Sequence, residues 1–144
     1  MKHIFVVCTG NICRSPVGQG ILSARLPNHN VWSAGLAALV GEPADPASVK
    51  VARDHGVDIS KHRAQQVVSW MCKQADLILV MELAQQQQLL KQYPLTKGKV
   101  YRWGEFGDFD VQDPYKQYYA VFQSTHAQIE RGAEDWISRL HKLA

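Results

Sequence analysis

Ile4-Phe5-Val6-Val7-Cys8-Thr9-Gly10-Asn11-Ile12-Cys13-Arg14-Ser15-Pro16 is the stretch from which the rest of the chain is read. Ile4 to Val7 is apolar without alternation, the pattern of a parallel strand covered on both faces. Ser15 followed by Pro16 predicts a helix N-cap and a first helical residue. Val17, Ile21, Leu22 and Leu26 then fall at helical spacing. The segment from Cys8 to Ser15 therefore lies beyond the carboxyl end of a strand, where open α/β sheets bind ligands. A helix N-terminus at that place offers unpaired N–H groups and partial positive charge, which attract an anion and favour a thiolate over a thiol. Gly10 and Asn11 tolerate positive φ, so successive N–H groups can turn inward as a nest. Arg14 brings a planar fork suited to two oxygens of a phosphate. Cys8 is thus the candidate nucleophile and Arg14 the candidate clamp. The Cys-x5-Arg spacing alone is a weak signal; its seat in a strand–loop–helix junction gives it weight.

The flanking sequence agrees with that junction. Val31-Trp32, Leu77 to Met81 and Val100-Tyr101 read as further strands. Helices are expected from about Pro46 to His55, ended by Gly56, around Val67 to Lys73, and from beyond Met81 to Tyr93-Pro94. A last helix carries Phe122, Ile129, Ala133, Trp136, Ile137 and Leu140 as one apolar stripe. Strand–helix alternation implies an α/β fold with a parallel sheet covered by helices on both faces. Gln85 to Gln88 reads as a solvated helix face, and Cys72 as a buried thiol. No repeat or linker interrupts the pattern, so one domain over residues 1–144 is expected.

Composition narrows the function classes. The net charge of +3 is mild and spread from Lys2 to Lys142, which argues against a nucleic-acid partner. No apolar run approaches the roughly 20 residues of a membrane span. The apolar part of the N-terminus is too short for a signal peptide. A cytoplasmic protein without membrane insertion is expected. Three cysteines, an odd number, fit catalytic or buried thiols better than a disulfide framework. None of the six histidines forms a ligand pair with Cys8 and Cys13 at zinc-finger spacing, so no metal and no cofactor is expected.

A thiolate that attacks a phosphomonoester must expel an alkoxide or phenoxide, so an acid should protonate the leaving oxygen. The loop from Gly104 to Lys116 offers Glu105, Asp108, Asp110 and Asp113. Asp113-Pro114-Tyr115 is the most pointed candidate, because proline stiffens the turn and tyrosine can flank an aryl group. The residue pattern alone does not choose among the four. Arsenate reduction would need a further cysteine pair to relay a disulfide, and only Cys72 lies outside the loop. A phosphocysteine carrier would need neither Arg14 nor an acid loop. A phosphotyrosine-binding module would leave the reactive cysteine without a purpose.

Val7 to Ser15, followed about a hundred residues later by Asp113-Pro114-Tyr115, resembles the low-molecular-weight protein tyrosine phosphatases. Ser33-Ala34-Gly35, Ala44-Asp45-Pro46, Ala75 to Glu82 and the final helix fall in family order. The resemblance is nearest to the bacterial branch that works beside tyrosine autokinases in capsule or exopolysaccharide export. It implies a four-stranded parallel sheet in the order 2-1-3-4 and hydrolysis of phosphotyrosine and small aryl phosphates through a cysteinyl-phosphate. By the same resemblance Cys8 is the nucleophile, Arg14 binds phosphate and Asp113 is the general acid. Thr9, Gly10, Ile12 and Cys13 complete the phosphate loop, and Ser15 bonds the nucleophilic sulfur. Asn11 keeps that loop in shape, supported by Ser33 and His62. Leu39 and Tyr115 form the pocket wall, and Cys13 is a partner for a reversible disulfide with Cys8. The implied partner is a phosphotyrosine protein, the cytoplasmic domain of a membrane tyrosine autokinase. Three positions depart from the pattern. Gln65 stands where the family often has arginine, aliphatic Leu39 where eukaryotic members have an aromatic wall, and Lys116 in place of a second tyrosine.

Overall fold

The computed structural model describes residues 1–143. Four strands, β1 (His3–Cys8), β2 (Asn30–Gly35), β3 (Leu77–Val80) and β4 (Val100–Arg102), form one sheet in the order β2-β1-β3-β4. Every pairing is parallel, with Val6 opposite Ser33 and Leu79, and Cys8 opposite Gly35. The helices are α1 (Arg14–Arg25), α2 (Pro46–Asp54), α3 (Ser69–Gln74), α4 (Leu83–Gln92) and α5 (Tyr119–Leu143). Among the described residues no helix is long and apolar enough to cross a membrane.

The unbroken apolar run of β1 serves two cores at once. Ile4, Val6 and Cys8 point to the side of α1 and α5, where they meet Ile21, Leu22, Trp103, Ile129 and Trp136. Phe5 and Val7 point to the other side, against Met71, Cys72 and Leu89 of α3 and α4. Each aliphatic side chain buried this way contributes about 1.5–3 kcal/mol. The period of two leaves Cys8, the last residue of β1, on the α1 side at the strand's carboxyl end. Trp103 is fully buried under α1 and α5, and its indole N–H donates to the Ile129 carbonyl at 2.8 Å.

Two local expectations change. Helix α1 begins at Arg14 with Cys13 as its N-cap, and no side chain caps it. Ser15 is therefore not the cap; its hydroxyl turns to the Cys8 sulfur instead. Gln85 is not on a solvated face. It is buried, and Gln86 is half-buried with its amide donating to the Val100 carbonyl, while only Gln87 and Gln88 face solvent.

Candidate active site

Between β1 and α1 the chain folds around Asn11, whose φ of 59° lies in the left-handed region that asparagine tolerates. That turn aims the Asn11 N–H at Cys8 Sγ, 3.3 Å away. The Asn11 side chain is fully buried and fully used. Its amide nitrogen donates to Ser15 Oγ at 2.7 Å and Ser33 Oγ at 3.0 Å, and its oxygen accepts the Gln65 N–H at 2.9 Å. Since Ser15 Oγ already accepts from Asn11, its own proton is free to point at Cys8 Sγ, 2.8 Å away. Ser33 repeats the logic, accepting from Asn11 and donating to Gln19 Oε1 at 2.6 Å. Two donors, the Ser15 hydroxyl and the Asn11 N–H, thus point at the sulfur.

The loop is also clamped from outside. The β2 side holds it through Leu36, Ala37 and Leu39, whose N–H groups donate to the carbonyls of Cys8, Thr9 and Gly10. Such close approach needs Gly35, because a Cβ there would collide with the Thr9 carbonyl. His62 Nε2 donates to the Asn11 carbonyl at 2.7 Å, and a carbonyl partner fixes the proton on that nitrogen. Burial holds His62 below the usual histidine range, so it stays neutral there. Gln65 adds a second tie, its amide donating to the Ser33 carbonyl at 2.9 Å. The departure from arginine at this position thus comes with a hydrogen bond to the loop's support.

Arg14 is buried to 2% exposure, yet its guanidinium is well partnered. Nη1 donates to Glu82 Oε2 at 2.5 Å and to the Val111 carbonyl at 2.9 Å, while Nη2 lies 3.7 Å from Asp113 Oδ2. Among the described residues Nε and Nη2 make no hydrogen bond, and Arg14 lines the pocket. Of the four acids in the late loop, Asp108 and Asp110 pair with Arg102, and Glu105 accepts the Arg102 N–H. Asp113 alone of the four lines the pocket, half exposed, with Oδ1 accepting the Tyr115 N–H at 3.1 Å.

The pocket has a volume of about 190 Å³ and a floor of Cys8, Thr9, Gly10, Ile12, Cys13 and Arg14. Its walls are Ala37, Leu39 and Tyr115, surfaces suited to an aromatic ring, with the Asp113 carboxylate beside them. Ser33 and His62 do not line the pocket and contact the loop through Asn11. Cys13 is a free, buried thiol pushed well above the usual cysteine range, first by burial and then by Asp45. Cys72 is buried on the far face of the sheet. Glu82 and Gln85 were not singled out by site reasoning on the sequence. The three-residue spacing of Glu82-x-x-Gln85, that of a capping box, is the signal that could have found them. Among the described residues no cluster of three metal-ligating side chains occurs.

A family model described as "Low molecular weight phosphotyrosine protein phosphatase" matches residues 3–144. The chain is 47% identical to the probable low molecular weight protein-tyrosine-phosphatase EpsP of Ralstonia nicotianae, over 99% of both chains. It is similar to Vibrio vulnificus Wzb in complex with benzylphosphonate, with 41% identity, a TM-score of 0.92 and coverage of 95% and 97% of the two chains. Erwinia amylovora tyrosine phosphatase AmsI matches at 40% identity and a TM-score of 0.93, over 96% of this chain and 92% of that one.

Proposed function

The chain belongs to the low molecular weight phosphotyrosine protein phosphatase family and is a protein-tyrosine-phosphatase, and on that premise we propose which residues carry the reaction and on what substrate. The Cys8 thiolate attacks phosphorus from the pocket floor. An S–P bond forms as the P–O bond to tyrosine breaks, and Asp113 passes its proton to the leaving phenolic oxygen. Arg14 holds two equatorial oxygens through its Nε–Nη2 edge, while the loop N–H groups take the rest of the charge. Water then attacks the cysteinyl-phosphate and gives its proton to Asp113. The thiolate leaves, eased by the Ser15 hydroxyl.

One observation carries this reading: a sulfur that receives both the Ser15 hydroxyl and the Asn11 N–H, in a pocket shared with Arg14 and Asp113. Cys8→Ser should bind vanadate and lose essentially all aryl phosphatase turnover, and phosphocysteine should be trapped on Cys8 of the wild type during turnover. Substantial residual turnover in that variant would sink the assignment.

The substrate in this reading is the phosphotyrosine-bearing cytoplasmic domain of a membrane tyrosine autokinase in polysaccharide export, and the enzyme works in the cytoplasm. The aliphatic Leu39 wall and the likeness to EpsP, AmsI and Wzb support it. Incubation with such a phosphorylated kinase domain should release its tyrosine phosphate faster than phosphate from an unrelated phosphotyrosine protein. Equal rates would remove the assignment of partner.

A further inference from the structure

Gln85 is a buried polar side chain for which the steps above have no use, 4% exposed beside the active site. Its Oε1 accepts the N–H groups of Met81 at 2.9 Å and Glu82 at 3.0 Å. Two backbone donors on one atom settle which end of the amide is oxygen, so the NH2 group faces the other way. That nitrogen donates to Thr9 Oγ1 at 3.0 Å and reaches Glu82 Oε2 at 3.5 Å. Glu82 in turn holds Arg14 Nη1. One side chain therefore touches both the residue following the nucleophile and the carboxylate that aims the clamp.

We infer that Gln85 is a positioning residue for phosphoryl transfer, tying Thr9 to the Glu82 carboxylate so that the start of the phosphate loop and the Arg14 guanidinium share one fixed geometry. The inference rests on the roles proposed for Cys8 and Arg14 and extends them. Arg14 presents the edge that Glu82 and the Val111 carbonyl leave free, so the direction of that edge depends in part on the Glu82 carboxylate. The Glu82 side chain is 34% exposed and has solvent to swing into. The second amide proton of Gln85 restrains it, and the first holds the Thr9 hydroxyl, which is otherwise on an exposed residue. Clamp misplacement by about an ångström is enough to cost on the order of 10²-fold in rate, so a weaker restraint should cost roughly tenfold.

The test uses Thr9→Val, Thr9→Ser, Gln85→Met and the double variant Thr9→Val/Gln85→Met in the full chain. Thr9→Val removes the hydroxyl at an exposed position with little change of shape, so it reads the contact even if Gln85→Met weakens the α4 cap. For each variant kcat and KM on an aryl phosphate, inhibition by inorganic phosphate, and Tm are measured. Thr9→Val and Gln85→Met should each lower kcat roughly tenfold and weaken phosphate inhibition. Thr9→Ser should restore both, the double variant should be no worse than the worse single, and Thr9→Val should keep the wild-type Tm. Wild-type kcat and phosphate inhibition in Thr9→Val would overturn the inference. So would losses that multiply in the double variant. Cys8→Ser, run alongside, separates the two levels: turnover retained there brings down the mechanism. An inactive Cys8→Ser with a normal Thr9→Val brings down only the role of Gln85.

Discussion

The phosphate loop and the acid loop meet in one pocket but are built on opposite principles. Asn11, Ser15 and Ser33 are buried with their side-chain groups paired, and the supports come from β2, from His62 and Gln65, and from the start of α4. Asp113, across the pocket, is half exposed and held by one bond from the Tyr115 N–H and a long approach to Arg14. The difference fits the roles proposed for the two loops. A nest for a dianion works best when its dipoles are oriented beforehand, since turning them during the reaction would cost what the binding gives. A proton donor that later accepts a proton from water must let substrate in, product out and water past. On that proposal rigidity is concentrated where charge would develop, and access where protons would move.

Three variants, with two controls, would break or sharpen that contrast. Arg14→Lys keeps the charge and loses the fork, and in a preorganised loop it should lower kcat by about 10²–10³-fold. A near-normal Arg14→Lys enzyme would mean that the loop does not depend on directed hydrogen bonds at all. Asp113→Asn should slow phosphotyrosine cleavage on the order of 10²-fold and nitrophenyl phosphate far less, because nitrophenolate leaves without a proton. Asp108→Asn and Asp110→Asn serve as controls, as their exposed pairing with Arg102 is worth under about 1 kcal/mol. An equal penalty on both substrates, or a graded one at Asp108 or Asp110, would move the acid elsewhere. Asn11→Ala leaves buried partners unmatched and a non-glycine residue at positive φ, and should destabilise the fold by roughly 2–4 kcal/mol in urea titration. Asp113→Asn should leave that midpoint unchanged; similar shifts for both would erase the contrast.

The smallest effect is the dependence of stability on pH. Burial holds His62 and His126 below the ordinary histidine range, His126 with a further push from His55. As pH falls below about 6.5 the unfolded chain takes up protons that these two folded imidazoles refuse. Their contribution is therefore complete above that pH and is lost as pH drops through the folded values. Tm should decline between pH 7.5 and 5, and His62→Asn should flatten the decline. An unchanged slope would show that the loop's support does not feel the proton.

The fold was legible because β1 and β3 are apolar without alternation and the last helix carries a continuous stripe. The phosphate loop was legible because its residues are contiguous, so strand end, turn and helix start could be read together. Proline and tyrosine made Asp113 the most pointed of four acids without choosing among them; in the structure it alone lines the pocket, while its three neighbours attach to Arg102. Ser15 reads as a cap because Ser-Pro has the local chemistry of one, whereas the helix begins two residues earlier and releases its hydroxyl to the sulfur. Gln85 was hidden inside a polar tract. Four glutamines in a row look solvated, and only the path of α4 away from Met81 turns the first of them back toward the loop.

The loop's supports are remote along the chain. Asn11 bonds Ser33, 22 positions away, and Gln65, 54 away; Thr9 meets Gln85 at a separation of 76, and Arg14 meets the Val111 carbonyl at 97. Closing loops of that length is the slow part of folding for a parallel sheet. Helices and local turns can form early, but the sulfur has no finished environment until the most distant contacts close. Catalysis is therefore a reporter of the completed topology: on refolding, helical circular dichroism should recover first, and phosphatase activity should return only with the last structural phase.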